Sequence, residues 1–234
     1  MHLLSVVVTS ASLLISGANA QEITVSPYLQ WGTPQSMWVL WETTSGDESV
    51  VEWGLSEALG ETAVGTITAD AESSKIHSVK LDNLSPGQRY YYRTVTDGTL
   101  STIYDFITPK TPESEQSFTL VAMSDMQRDS SNPLLYEDLI TDGVIDYMTT
   151  EYNGDLADVL NLVMVPGDLV DNGWNRNEWI TDFFAPSAPL MSHVPLYPVL
   201  GNHESNSRYF FDYFHLPDNG NNEHSWYLDY SNTR

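Results

Sequence analysis

The chain has 234 residues, 32 acidic against 9 basic side chains, and a formal charge of −23. That balance excludes nucleic-acid and anionic-membrane surfaces as partners, since both demand basic patches, and the absence of cysteine excludes disulfides, zinc–thiolate sites and thiol catalysis. A hydrophobic fraction of 41%, with seven Trp and thirteen Tyr, sets the chain apart from a disordered acidic tail.

Residues 1–20 read as a secretory signal peptide. Leu3 to Ile15 is apolar but too short to span a bilayer, and Ala18-Asn19-Ala20 gives a small-x-small cleavage pattern before Gln21. Its positive end is weak, with only His2 and the amino terminus, so an uncleaved anchor is the alternative. No later stretch has the length and apolarity of a membrane helix, so the cleaved chain is expected to be secreted or periplasmic without a span. Nothing in the pattern speaks to an oligomeric state.

Residues 22–108 read as all-β. Short runs at 23–31, 36–42, 49–53, 76–81, 89–95 and 102–107 are rich in Val, Trp, Tyr and Thr and are separated by turn clusters. Met37-Trp38-Val39-Leu40-Trp41 is wholly apolar, the pattern of a central sandwich strand. Leu81-Asp82-Asn83-Leu84-Ser85-Pro86-Gly87 is followed by Tyr90-Tyr91-Tyr92, a sequence with which a tyrosine hydrogen bond closes a sandwich corner. On these residues the module resembles a fibronectin type III domain. Pro27-Tyr28-Leu29-Gln30 narrows the resemblance to the sandwich that precedes the catalytic domain in purple acid phosphatases. Residues 109–116, with Pro109 and Pro112 among polar neighbours, read as a semi-extended, solvated linker.

From residue 117 to 234 the pattern alternates strand and helix. Apolar runs at 118–123, 160–165 and 196–200 read as buried strands. Tyr136, Ile140, Val144 and Tyr147 fall at helical spacing between the first two. Trp179, Phe183 and Phe184 belong to a second helix, expected to end near Pro186 or Pro189. Such alternation implies parallel strands with right-handed crossovers. The fold class is therefore mixed: an all-β sandwich, then an α/β domain.

Each apolar run ends in a short polar motif. These are Ser124-Asp125-Met126-Gln127, then Gly167-Asp168-Leu169-Val170-Asp171-Asn172, then Gly201-Asn202-His203-Glu204. Singly, a Gly-Asp pair is a tight turn with a capping carboxylate, and an Asn-His pair a turn with a satisfied histidine. Together, at the carboxyl ends of successive parallel strands, they converge on one crevice. Oxygen and imidazole donors there suit a hard metal and phosphate ester chemistry.

The set resembles the calcineurin-like metallophosphoesterase superfamily, Gly-Asn-His-Glu being its most specific element. The resemblance implies an α/β/β/α four-layer fold and two divalent metal ions, with Asp125 and Gln127 on the first, Asp168 bridging, and Asn202 on the second. It implies hydrolysis of a phosphate mono- or diester through a metal-bridging hydroxide, with His203 as general acid at the leaving oxygen and Asp171 orienting and charging that imidazole. Arg128 and Arg208 are the candidates for phosphate contact, against the plainer reading of surface ion pairs; Arg176 also lies near a motif.

The sequence departs from the family in three places. Gln127 stands where a His is usual, which shifts preference toward Mn, Mg or Ca, with Fe and Zn still open. Asp171 stands where the purple enzymes place an iron-binding Tyr, so the protein is expected not to be purple. The family needs a further His and a Gly-His-x-His segment downstream; after Glu204 only His215 and His224 remain, neither in such a context. His215 is expected to pack in an aromatic cluster, and residues 225–230 to form the strand opening the family's second sheet. The chain is thus expected to be an amino-terminal fragment of a secreted phosphohydrolase, inactive by itself, with an exposed apolar face and strand edge. The alternative is a non-catalytic secreted binding module with a degenerate phosphoesterase remnant.

Overall fold

In the computed structural model, residues 21–71, 74–217, 219–221 and 223–233 are described, and the expected signal peptide lies outside them. The first half forms β1 (Ile23–Thr33), β2 (Ser36–Thr43), β3 (Val50–Gly54), β4 (Glu61–Val64), β5 (Thr66–Ala71), β6 (Ser74–Asp82), β7 (Arg89–Thr96), β8 (Thr99–Leu100) and β9 (Tyr104–Ile107). The second half contributes β10 (Leu120–Ala122), β11 (Leu162–Val165) and β12 (Leu196–Pro198). Its helices are α1 (Leu135–Asp138), α2 (Tyr147–Tyr152), α3 (Leu156–Val159), α4 (Arg176–Glu178), α5 (Ala185–Met191) and α6 (Arg208–Tyr213). π-Helical stretches at Leu139–Asp146 and Trp179–Phe184 join α1 to α2 and α4 to α5. No helix among the described residues is long and apolar enough to cross a membrane.

The two halves share a sheet. A seven-stranded sheet runs β10-β11-β12-β1-β2-β6-β5, with β1 and β12 parallel at Gln30↔Leu196. A second sheet, built around β3 and β7, covers one face of its sandwich part. The shared sheet is therefore a middle layer. Met37, Val39, Trp41, Val79 and Leu81 point toward β7 and β9, against Tyr90, Tyr92 and Phe106. Val25, Tyr28, Leu40 and Ile76 point the other way, into one core with Trp179, Phe183, Phe184 and Phe214. Strand β2 is apolar at successive positions because both its faces are covered.

Side chains stitch the same boundary. Tyr28 and Tyr92 donate their hydroxyls to the carbonyls of Tyr213 (2.6 Å) and Ser192 (2.7 Å), and Tyr197 donates to Gly32 (3.1 Å). Buried tyrosines need such acceptors. Pro109, the first residue of the expected solvated linker, is buried and accepts from Gly87 N at 3.3 Å, whereas residues 112–113 and 115–117 are exposed. At the sandwich corner Ser85 N donates to the Tyr90 hydroxyl at 2.9 Å.

Some local expectations need correction. Tyr147 is exposed and Met148 takes its place inside, continuing the fourfold spacing of Tyr136, Ile140 and Val144. The second helix ends at Met191, close to Pro189 as expected. Pro186 and Pro189 both lie inside the continuous run from Arg176 to Met191, and the Ser187 and Ser192 hydroxyls bond carbonyls of that run. Residues 225–230 form no strand; Tyr230 makes only an isolated bridge to Thr233, because no described strand lies beside the segment to complete a ladder. Trp226 and Tyr230 pack instead with Leu162 and Tyr197.

Candidate metal centre

Strands β10, β11 and β12 are adjacent and parallel, so their carboxyl ends deliver the three motif loops side by side. The second and third loops are locked together by Glu204. This carboxylate is fully buried and accepts from Leu169 N (2.8 Å), Asp168 N (3.0 Å) and Gly201 N (2.6 Å). The loops touch so closely that a Cβ on Gly201 would collide with Asp168, and one on Gly173 with the Glu204 backbone. Glycine at these positions is required by the approach of one backbone to the other. The first loop joins through Met126 N, which donates to Asp168 O at 3.0 Å.

Asp125 (φ 58°) and Asp168 (φ 56°) both adopt left-handed backbone. Holding a non-glycine residue there costs of order 1–3 kcal/mol and persists only where the surroundings dictate it. Asp168 Oδ1 accepts from His203 N at 3.1 Å. Its Oδ2, and the side-chain amides of Gln127 and Asn202, make no hydrogen bond to the described residues. Asp125 is exposed and accepts from the Ser124 hydroxyl at 2.5 Å.

Among the described residues no three His, Cys, Asp or Glu side chains lie close enough to hold a metal ion. What the loops offer is two carboxylates, Asp125 and Asp168, and two amides, Gln127 and Asn202. These are hard oxygen donors, with several atoms uncommitted, and their chemistry fits Mg²⁺, Mn²⁺ or Ca²⁺.

His203 Nδ1 lies 2.7 Å from the Asp171 backbone oxygen and 3.5 Å from the Asp171 carboxylate. Asp171 thus stands beside the imidazole as the motif spacing implies, but its carbonyl makes the short contact. A carbonyl only accepts, so Nδ1 carries a proton and Nε2 is the nitrogen left to exchange one. The same bond is the main cause that holds the His203 pKa above its ordinary value, with added help from the charges of Asp168, Asp171 and Glu204. The Asp171 loop is itself braced: Glu178 accepts from Asn172 N at 2.7 Å, and Gly173 N donates to His203 O at 3.0 Å.

The arginines scatter. Arg128 lies with Asp125 and Gln127 around a hollow beside the first motif and comes within 3.5 Å of Asp182. Arg208 lines a different hollow, with Arg176, and pairs with Asp212 at 3.3 Å. Arg176 forms a 2.6 Å ion pair with the buried Glu42 on β2. His215 packs on Trp38, ring centroids 3.9 Å apart. The sequence reading missed the bracing carboxylates. Glu204 enters it only as the last letter of a motif, Glu42 only as the end of a strand, and Glu178 not at all; the type and spacing of an acid do not say which partners it will bind.

Residues 24–108 match the sequence profile of the purple acid phosphatase N-terminal domain, and residues 118–233 that of the calcineurin-like phosphoesterases. The structure is similar to the purple acid phosphatase PPD1 from yellow lupin (Lupinus luteus) seeds, with a TM-score of 0.67 and 22% identity, covering 91% of this chain and 43% of that one. It is similar also to PhoD, with a TM-score of 0.56 and 15% identity, covering 77% of this chain and 39% of PhoD. The chain thus spans well under half the length of either structure. No curated protein sequence matches it.

Proposed function

The chain belongs to the calcineurin-like phosphoesterases and carries the purple acid phosphatase N-terminal domain ahead of the phosphoesterase fold, and from that premise we propose that it is the motif-bearing part of a secreted or periplasmic metal-dependent phosphohydrolase. Its substrates are phosphate mono- or diesters. Asp125, Gln127, Asp168 and Asn202 are the residues that would hold the divalent cations. Bound cations supply charge neutralisation at phosphate and an activated water.

The remaining work falls to the protein. Glu204 keeps the Asp168 and Asn202 loops in register without spending either donor side chain. His203 donates from Nε2 to the departing alkoxide, since Nδ1 is committed to Asp171 O. Asp171 acts on the ring chiefly through its carbonyl, and in this reading it leaves the protein without the chromophoric tyrosine of the purple enzymes. The leader at residues 1–20 is what supports export.

The observation that carries the reading is the Glu204 clamp: three backbone amides converge on one buried carboxylate, and the donor atoms beside it are left uncommitted. The test is hydrolysis of 4-nitrophenyl phosphate with added Mn²⁺. With only two carboxylates and two amides as donors, turnover by this chain alone is expected to be weak. Whatever turnover exists is expected to vanish in Asp168→Ala and to fall about 10²–10⁴-fold in His203→Ala. Turnover that survives Asp168→Ala would sink the reading.

A further inference from the structure

The hollow beside the first motif has a volume of about 190 Å³ and a mixed lining. Asp125, Gln127 and Arg128 line it together with Leu134, Leu135 and Leu139. These leucines are 56%, 53% and 44% exposed. An amphipathic helix turns its apolar side chains to the core, and here Tyr136, Ile140 and Val144 already fill that side. The leucines form a second apolar stripe, facing the hollow.

Its walls are fixed. The helical run from Leu135 and the run from Trp179 to Met191 are tied by a buried hydrogen bond of 2.7 Å between the Tyr136 hydroxyl and Ser187 Oγ, and by stacking of Tyr136 on Phe183. Of the lining residues, Leu139 on the first run and Thr181 and Asp182 on the second lie in π-helical stretches, a geometry that recurs at functional sites.

Charge narrows what can enter. Asp125, Asp129, Glu137 and Asp182 line the hollow against Arg128 alone, and Arg128 already faces Asp182 at 3.5 Å. A bare anion is repelled, while a neutral apolar group is not. An anionic ester can approach only with a cation held at Asp125. Size narrows it further, since an apolar cavity of about 150 Å³ takes up benzene.

We propose that this hollow seats the apolar, ring-sized alcohol portion of a phosphate ester, an aryl group in the first instance, with the phosphate directed toward Asp125 and Gln127. The phosphate half of this assignment rests on the phosphohydrolase reading; the apolar half rests on the hollow alone. Leu134, Leu135 and Leu139 are then the specificity-determining residues.

The test is NMR of the metal-free chain with labelled leucine methyls. Phenol is expected to shift the Leu135 and Leu139 methyls saturably, and glycerol is expected to leave them unmoved. Leu139→Asp, an exposed position that does not threaten folding, is expected to weaken phenol binding at least about tenfold. Absence of saturation, or an equal response to glycerol, would overturn the hollow as a binding site. Phenylphosphonate is expected to bind only when Mn²⁺ is present and to move the same methyls. Phenol binding without any Mn²⁺-dependent phenylphosphonate binding would overturn the phosphate half and keep the apolar half. Phenylphosphonate binding with Mn²⁺ that leaves the leucine methyls untouched would do the reverse.

Discussion

Glu42 and Glu204 are both fully buried, yet different kinds of partner satisfy them. Glu204 takes backbone amides from the two loops that flank it in space. Glu42 takes side chains: the Ser74 hydroxyl, Thr24 Oγ1 (3.2 Å), the Tyr213 hydroxyl (3.3 Å) and the Arg176 guanidinium (2.6 Å). The first arrangement fixes the shape of one site. The second fastens the sandwich to the α/β half across 134 residues of sequence. Site geometry and one tie of the domain boundary thus depend on separate carboxylates, and each can be removed without touching the other.

Glu204→Ala should cost most. It strips the acceptor from three backbone amides in or near the interior, at roughly 1–3 kcal/mol each, so a loss on the order of 4 kcal/mol is expected in urea denaturation. Exchange of the Leu169 and Gly201 amide hydrogens should accelerate with it. A loss under about 1 kcal/mol would mean that the loops hold each other without the clamp.

Glu42→Ala should cost less, about 2–3 kcal/mol, because Arg176 keeps some contact with water and its charge is only partly stranded. The pair also permits a check that Glu204 does not. Replacing both Glu42 and Arg176 by Leu and Met should recover most of the loss, since a buried ion pair exchanged for apolar groups is close to neutral. If the double variant is as unstable as Glu42→Ala, the attachment depends on the hydroxyl contacts rather than on the charge pair.

A third buried group should matter only in acid. His77 sits between Thr43 Oγ1 and Ser49 Oγ, at 2.8 Å from each, and stacks on Trp41. Burial, with the nearby Lys75 charge, lowers its pKa to about 4. The unfolded chain, with an ordinary value near 6.5, takes up the proton first. The stability that neutral His77 contributes is therefore complete above about pH 6.5 and is lost as pH falls toward about 4, by at most about 3 kcal/mol. In His77→Gln the stability curve should flatten over that window; an unchanged slope would assign acid sensitivity to the carboxylates.

The contrast between β2 and the strands β4 and β5 marks what the sequence could reveal. Met37 to Trp41 announces a buried strand, because burial on two faces leaves no polar position. The same run does not say what covers the second face, so the shared sheet is invisible from it. β4 (Glu-Thr-Ala-Val) and β5 (Thr-Ile-Thr-Ala-Asp-Ala) sit at the open edges of their sheets, where solvent permits acids and alanines, and neither carries a strand pattern. At the site, the sequence shows that three motif loops end successive parallel strands, because each follows an apolar run. Their bracing it does not show. That Glu204 accepts from three amides, or that the Asp171 carbonyl lies against His203 Nδ1, depends on backbone placement that no side-chain pattern encodes.

The central claim, that the three motif loops together bind divalent cations, is most directly tested by paramagnetic broadening. A chain of charge −23 attracts cations everywhere, so total Mn²⁺ uptake says little. Residue-specific NMR does better. With a small amount of Mn²⁺, the amide signals of Met126, Leu169 and His203 should broaden together and first, and Asp168→Ala should abolish that response. Broadening that spares these three while appearing at surface carboxylates such as Asp47 and Asp97 would contradict the account.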